Sequence, residues 1–577
     1  MLRFITSVLI TISALACTAP SRPFALRAPY TRDTDLDPVS VPCRPDPSPK
    51  DPARVSCAPV PYVSPFIWDQ LDNSTFGPVS RALAIEVRGE AVNANSLDEV
   101  ADSSWFQNRI GAAVPVAAEL AIGGCTPDDL LPAEVADGAW VIDHGKDNGS
   151  TLGFRVRVPG KGVYLLKADD LDQPEHASAA SVMGEAIYHA AGFHTSCEQV
   201  VYVRRAQLTL TPGLARIDNQ GFRHAFDDRA LDAVLASSAH RGELTRMTAS
   251  KWLPGVTLGP FRYEGTRADD PNDVIAHDDR RELRGSKLLA VWLNHWDARE
   301  QNSMDVWLAT DPAQVRSSPG HVRHYLIDTS DVLGQIPNRE ALGVRMGYAY
   351  YVDLGQMVAD FVTLGTVEQP WDRAARVPGR EKFGFFSARD LDPETWKGSY
   401  PNPAFSRMTE RDAAWMARII ARFTRAELRA IAGAAQFTDP GDADYITEVL
   451  LERQRVILDR YLTRLSPLTD VRRAADGRIC AVDLARARGL FGADRFHYRI
   501  VEDTATGRIQ LPAVQGPDGA LCFTPRPLAG DGLAAAAPGR RVVFRIHNGT
   551  AAGPLEIHAY DQGAGGMQII GLRRPAP

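Results

Sequence analysis

A short apolar run, Trp140-Val141-Ile142, opens a series of strand-like stretches in this chain. Phe154-Arg155-Val156-Arg157-Val158 alternates at the strand period, and Val163-Tyr164-Leu165-Leu166-Lys167 reads as a further strand. A polar glycine loop, His144 to Gly153, separates the first two, and the turn Pro159-Gly160-Lys161-Gly162 separates the last two. Pro174 begins an alanine-rich segment that predicts a helix to Ala191, stopped by Gly192. Gln199 to Val203 returns to strand character. Residues 277–294 predict a helix buried through Leu283, Leu288, Leu289, Val291, Trp292 and Leu293. Ser303–Leu308 and Tyr325–Ile327 predict strands flanking a loop. Between 409 and 466, Trp415, Ile419, Ile420 and Phe423 form one helical stripe, and Val449, Leu450, Ile457, Leu458 and Leu462 another.

From about Cys480 the pattern changes to short alternating strands, Phe496–Val501, Arg541–Ile546 and Leu555–Tyr560, with Gly and Pro between them. That texture predicts a small terminal β-sandwich over 471–577. Residues 66–139 carry a strand pattern at Ala82–Val87, a Ser103-Ser104-Trp105-Phe106 segment and turns; they read as an extension packed on the core. The fold class expected is α+β.

The amino-terminal pattern differs from all of this. Arg3 precedes an apolar run, Phe4 to Ala16, and then Cys17. The run is too short for a mature spanning helix and suits a signal-peptide core over 1–16. Ala14-Leu15-Ala16-Cys17 resembles a bacterial lipoprotein box, in which the cysteine is lipidated and becomes the first mature residue; such boxes usually begin with Leu rather than Ala14. Cleavage and simple secretion is the alternative. Thr18 beside the cysteine implies, by the same resemblance, an outer-membrane lipoprotein. Residues 17–65 are rich in proline and predict a tether. Six further cysteines remain, none in metal-ligand spacing. Local pairing would join Cys43 to Cys57 and Cys480 to Cys522, leaving Cys125 with Cys197; spacing alone leaves the connectivity open. With 577 residues, 44% hydrophobic, 23% charged and a net charge of -7, the chain has a globular balance and lacks the basic surface of a nucleic-acid binder.

Candidate chemistry enters at His295-Trp296-Asp297-Ala298-Arg299-Glu300-Gln301-Asn302, which has the spacing H-x-D-x-x-x-x-N. An aspartate there can orient or deprotonate a hydroxyl, and an asparagine five residues on can reach a magnesium ion on the same turn. Asp328 ends the apolar run Tyr325-Leu326-Ile327, a position suited to a metal ligand. Lys167 ends a strand that follows the glycine loop, with Gly149 and Gly153 in the loop, a position suited to holding phosphates. Glu185 lies on the next helix, where it could pair with Lys167; Glu175 on the same segment could take its part. Each residue has an ordinary reading alone: solvated lysine, helix-surface charge, turn aspartate. Trp252-Leu253-Pro254-Gly255 reads equally as a hinge beside an adenine or as a turn. The charge-dense stretch 266–284 reads as a solvated loop and helix start, with an acidic receiver for a basic substrate as the alternative.

Taken together these residues resemble the protein-kinase-like superfamily, nearer its HipA and phosphatidylinositol 3/4-kinase branches than the eukaryotic protein kinases. They are also similar to bacterial exported proteins carrying Asn-His-x-Asp-x-Arg-x-x-Asn ahead of an Ile-Asp strand. The resemblance covers about 140–335 by motif, and to 466 by helical texture. It implies a two-lobed core, with a small lobe and hinge at 140–265 and a large lobe at 266–470. It also implies ATP and Mg2+ or Mn2+ as cofactors, Asp297 and His295 in a catalytic loop, Lys167 on nucleotide phosphate, and Asn302 and Asp328 on metal. The loop Asn148-Gly149-Ser150-Thr151-Leu152-Gly153 departs from the full G-x-G-x-x-G, and Asp328-Thr329-Ser330 replaces Asp-Phe-Gly. The function expected is a phosphotransferase acting outside the cytoplasm on a protein or small-molecule acceptor, with membrane attachment through Cys17. The alternatives are a pseudokinase-like scaffold, favoured by the scarcity of ATP outside the cytoplasm, and transfer of another group, as in adenylylation or glutamylation. Serine-hydrolase elbow, H-E-x-x-H and dinucleotide fingerprints are absent from the sequence.

Overall fold

The computed structural model describes residues 34–41, 44–45, 55–56, 71–83, 89–111, 117–132, 136–147, 149, 151–218, 220–315, 317–336, 340–504, 507–526 and 540–576. The signal segment, Cys17 and the Cys43–Cys57 pairing lie outside them. Arg44 and Pro45, next to Cys43, pair with Ser56 and Val55, next to Cys57. The described chain is a mixed α+β protein.

Helix α1 (Ala117–Ala121) precedes the antiparallel strands β1 (Trp140–Gly145), β2 (Gly153–Val158) and β3 (Gly162–Ala168). Helix α2 (His176–Ala191) follows, then β4 (His194–Thr195), β5 (Glu198–Val203), β6 (Leu208–Leu210), α3 (Asp228–Ala236), β7 (His240–Arg241) and β8 (Leu244–Lys251). β8 pairs antiparallel with both β3 and β5, and β6 joins β1 in parallel, giving one seven-stranded sheet. Its alternation is that of the sequence: Phe154, Val156, Tyr164, Leu166 and Ala249 fill one core with Leu231 and Val234 of α3. Lys167 therefore stands on the opposite face from Leu166.

β9 (Val256–Gly259) begins a second sheet with β10 (Ser303–Ala309) and β11 (Gly320–Leu326), to which β4 adds in parallel. Helix α4 (Arg281–Leu293) lies between β9 and β10 in the chain. Leu288, Leu289, Trp292 and Leu293 on it are fully buried, each contributing about 1.5–3 kcal/mol by leaving water. After β11 come α5 (Leu354–Thr363), α6 (Glu410–Ile420), α7 (Arg425–Ala434) and α8 (Pro440–Tyr461). α2, α4, α6, α7 and α8 share the largest core, which Val100, Trp105 and Phe106 of the amino-terminal extension enter. The carboxy-terminal strands form a four- and a five-stranded sheet around one core containing Leu468, Ile479, Ile500, Phe523, Phe544 and Ile557.

Three expectations are corrected here. Ala82 and Leu83 end a helix, Gly77–Leu83, where a strand was expected; the rest of that stretch is outside the described residues. Residues 34–41, assigned to the tether, are docked: Ser104 donates to Asp35, Asn272 to the Asp37 carbonyl, and Val39 exchanges backbone hydrogen bonds with Gly320. The stretch 266–284, expected as a solvated loop and helix start, is exposed only in part, at positions such as Thr266, Ala268, Pro271 and Val274. Asp273, His277, Arg280, Arg281 and Arg284 are buried and paired internally, with His277 2.7 Å from Asp273 and Arg281 2.7 Å from Asp98. The Cys125–Cys197 and Cys480–Cys522 disulfides are formed, which resolves the connectivity that spacing left open and fits an oxidising compartment. Among the described residues no helix is long and apolar enough to cross a membrane.

Candidate functional site

Strand period, a glycine loop and two sharp backbone turns converge on one cluster. Lys167 Nζ lies 2.9 Å from Asp328 Oδ1, although the two residues are 161 apart in the chain. Lys167 is 5% exposed, so this is an internal ion pair on the lysine side. Burial works against its charge, but Asp328, Glu198 and Asp331 outweigh it and hold the ammonium group well above its ordinary value. Asp328 sits just past β11 at φ 55, in the left-handed region, which turns its carboxylate back toward β3. Burial raises its proton affinity, yet Lys167, Lys146 and a 2.9 Å hydrogen bond from Ser330 hold it well below the carboxylate range.

The glycine loop covers this pair. Gly149 has φ +82, and a Cβ there would come within 2.9 Å of Lys146 Nζ. A Cβ on Gly153 would meet the Leu166 carbonyl oxygen at 2.3 Å, so the loop can lie this close to β3 only without a side chain. The loop thereby lays Lys146 under itself, where burial lowers its pKa while Asp328 opposes that shift.

On the other side stands the H-x-D-x-x-x-x-N loop. Asn294 at φ 53 ends α4, and the chain turns into His295 and Asp297. Asn302 Nδ2 donates to the Asp297 carbonyl at 2.8 Å and to its Oδ2 at 3.1 Å. Ser399 donates to Oδ1 at 3.1 Å, and Arg299 Nε lies 2.9 Å from the same oxygen. Burial raises the Asp297 pKa despite these partners. The Ile327 amide donates to the Asn302 carbonyl at 3.0 Å, which locks the two turns together. Asp331 accepts the Asp297 backbone N–H at 3.1 Å; burial first, then the nearby Asp297 and Asp328 carboxylates, push its pKa well up.

Lys167, Gly149, Gly153, Asp297, Asn302 and Asp328 thus meet in one place. His295 and Glu185 do not join them. His295 is buried between Tyr188, 2.9 Å from its Nδ1, and Asp331, 3.4 Å from its Nε2, and burial pulls its pKa down to about 4. Burial thus favours its neutral form, held between these two partners. Glu185 accepts hydrogen bonds from Gly124 N and Thr195 and has no contact with Lys167. The reason is helical phase. α2 turns Ser181 and Gly184 to Thr329, which donates to the Ser181 carbonyl at 2.9 Å, and Glu185 is rotated about 100° from Gly184. Glu175 is committed to Lys382, 2.7 Å away, and to Thr438. The second carboxylate field on Lys167 comes instead from Glu198 on β5. Lys146, Glu198 and Asp331 were not singled out from the sequence; the position of Lys146 just after β1 was the one signal available.

The oxygens of Asp328, Asn302 and Asp331 are hard donors of the kind that Mg2+ or Mn2+ takes. Among the described residues no group of three or more His, Cys, Asp or Glu could hold a metal ion by itself. Magnesium bound through one or two carboxylates and phosphate oxygens does not require such a group, and Asp331 lies close enough to Asp297 and Asp328 that their carboxylates add to burial in raising its pKa. Two cavities lie near these elements, one of them lined by the glycine loop. One of about 310 Å³ touches Lys146, Gly149, Gly153 and Arg216; another of about 450 Å³ lies behind Asn294. No family model, curated protein or solved structure matches this chain.

Proposed function

We propose that the chain is a kinase-like phosphotransferase that uses ATP with Mg2+ or Mn2+ and acts outside the cytoplasm. The observation that carries this reading is the 2.9 Å pairing of Lys167 with Asp328, under a glycine loop and locked to the Asp297–Asn302 turn. In this reading Lys167 and Lys146 offer positive charge to the phosphates. Asp328 and Asn302 hold the divalent ion, which when bound neutralises charge between the phosphates. Asp297, kept proton-receptive by burial and oriented by Ser399 and Asn302, accepts the proton of the acceptor hydroxyl. The acceptor oxygen then bonds to the γ-phosphorus as the bond to the ADP oxygen breaks. The two-lobed architecture belongs to the same proposal, with the seven-stranded sheet as small lobe and the α4–α8 region as large lobe. The disulfides support action in an oxidising compartment, and Ala14-Leu15-Ala16-Cys17 supports an outer-membrane lipid anchor.

One observation favours the pseudokinase-like reading: the helix glutamate, Glu185, is turned away to Gly124 and Thr195. Incubation of the full chain with ATP, free glutamate and either metal, followed by mass spectrometry of the chain and of added acceptors, separates the two. A gain of one phosphoryl group supports transfer. A gain of an adenylyl or glutamyl group assigns the site to another chemistry. Nucleotide binding without any transferred group assigns it to scaffolding.

A further inference from the structure

Among the described residues twenty-four large apolar side chains are exposed, and ten of them fall between Tyr351 and Val377. Most belong to α5 or its end. Leu354, Met357, Val358, Phe361 and Val362 follow the i, i+3, i+4, i+7, i+8 spacing of one helix face, with Phe361 81% exposed, and Leu364 continues it. The other side carries Gln356, Asp360 and Thr363. Not one residue of α5 is buried. A ten-residue helix with no packed face is marginal in water, so this one needs a surface to lie on. Its start is fixed all the same: Asp353 accepts from the Gln356 amide at 3.1 Å and pairs with Lys397 at 2.6 Å.

We propose that the apolar face of α5 docks on the lipid bilayer, with Leu354, Phe361 and Leu364 at the boundary between headgroups and acyl chains. The inference rests on the lipid-anchor reading of Cys17 and not on the kinase-like reading. The reach of the chain argues for a membrane rather than another partner. Asp35 is docked on the body through Ser104, so the segment from Cys17 to it spans at most about 60 Å. A body of this length has a radius of gyration of about 25 Å. An anchored chain is therefore kept within about 60 Å of the bilayer, and α5 and its flanks carry the densest run of exposed apolar side chains among the described residues. Docking also orients the candidate site. The Tyr351 amide donates to the Ser399 carbonyl at 2.9 Å, and Ser399 donates to Asp297, so the Asp297 end of the cluster stands directly behind the docked helix.

The test places an indole on the face. In the full chain, Phe361→Trp is mixed with phosphatidylethanolamine–phosphatidylglycerol vesicles carrying brominated acyl chains, and its emission is read as a difference from the unsubstituted chain. Insertion to a depth of about 5–10 Å should cut the added emission about twofold. Phe222→Trp, exposed on a distant hairpin, should keep its emission. Lipid on Cys17 is read separately by mass spectrometry of the amino-terminal peptide. Quenching at 361 alone supports docking whether or not Cys17 is lipidated. A lipidated chain without quenching at 361, or with equal quenching at 222, overturns it. So does a dimer in solution that Phe361→Asp dissociates, which would give the face to a second copy.

Discussion

Two buried charge clusters in this protein obey opposite rules. Around Asp98, three guanidinium groups converge: Arg281 at 2.7 Å, Arg418 at 3.5 Å and Arg574. Burial opposes the charge of Asp98, but the arginines outweigh it and hold the carboxyl well below its ordinary value. Asp305 is treated the same way by His324 at 2.6 Å and Arg267 at 2.9 Å. These clusters join the amino-terminal extension, the strand pair and the carboxy-terminal segment, and in them Asp98 and Asp305 are each outmatched by cations. Around Asp328 the balance fails. Asp297 and Asp331 are pushed up, because burial and neighbouring carboxylates exceed what Arg299 and Lys167 return. Charge packed to satisfaction serves stability; charge packed in excess costs stability and is retained where a ligand completes it.

The comparison is broken most severely by removing Asp98. Asp98→Ala removes the carboxylate that three arginines share, although Arg281 keeps Asp412 and Arg418 keeps Glu99, and should cost about 3–5 kcal/mol in urea unfolding, with nucleotide binding per folded molecule unchanged. Next in size, Asp297→Asn keeps shape and hydrogen bonds but cannot accept a proton. Transfer should fall by about 10²-fold while nucleotide still binds, as measured by single-turnover transfer and equilibrium titration. Glu185→Gln sharpens the contrast between helix positions. Burial lifts Glu185 to about 8 against 4.5 when unfolded, so the folded chain holds more protons between those values and its stability falls as pH rises through them. The glutamine should stabilise the fold by on the order of 1–2 kcal/mol at pH 8, do little at pH 4.5, and leave nucleotide affinity alone, as followed by thermal unfolding at both values. Smallest is Asp331→Asn, which keeps an acceptor for the Asp297 amide and removes one repelling charge. It should stabilise the ligand-free chain by about 1 kcal/mol, the opposite sign to Asp98→Ala.

What was legible in the sequence was periodicity and local spacing. β2, β3, α4, the helices after 409 and the terminal strands follow from alternation or stripe. The Asp297–Asn302 unit follows from a spacing that one turn can close. Phase on a fully buried helix was not legible: α2 is internal on nearly every side, so no stripe distinguishes the face of Glu185 from that of Gly184. Glu198 and Asp331 act through pairings between strands and turns far apart in the chain, which no local pattern encodes. The stretch 266–284 misled because dense charge in sequence resembles a solvated surface, whereas many of its charges pair with one another, as Asp273 with His277, or with distant segments, as Arg281 with Asp98. The exposed face of α5 has the stripe of a packed helix, and sequence alone gives no sign that the described chain leaves it uncovered.

The central claim is that the charge in excess around Asp328 is completed by a nucleotide and a divalent ion. Calorimetric titration of the full chain with a non-hydrolysable ATP analogue tests it most directly, with Mg2+, with Mn2+ and with chelator, for the unsubstituted protein and for Asp328→Ala. Binding that needs a divalent ion and weakens by about 10²-fold or more in Asp328→Ala, with that variant still unfolding cooperatively, is the result predicted. No binding with either metal, or binding indifferent to Asp328→Ala, would contradict it.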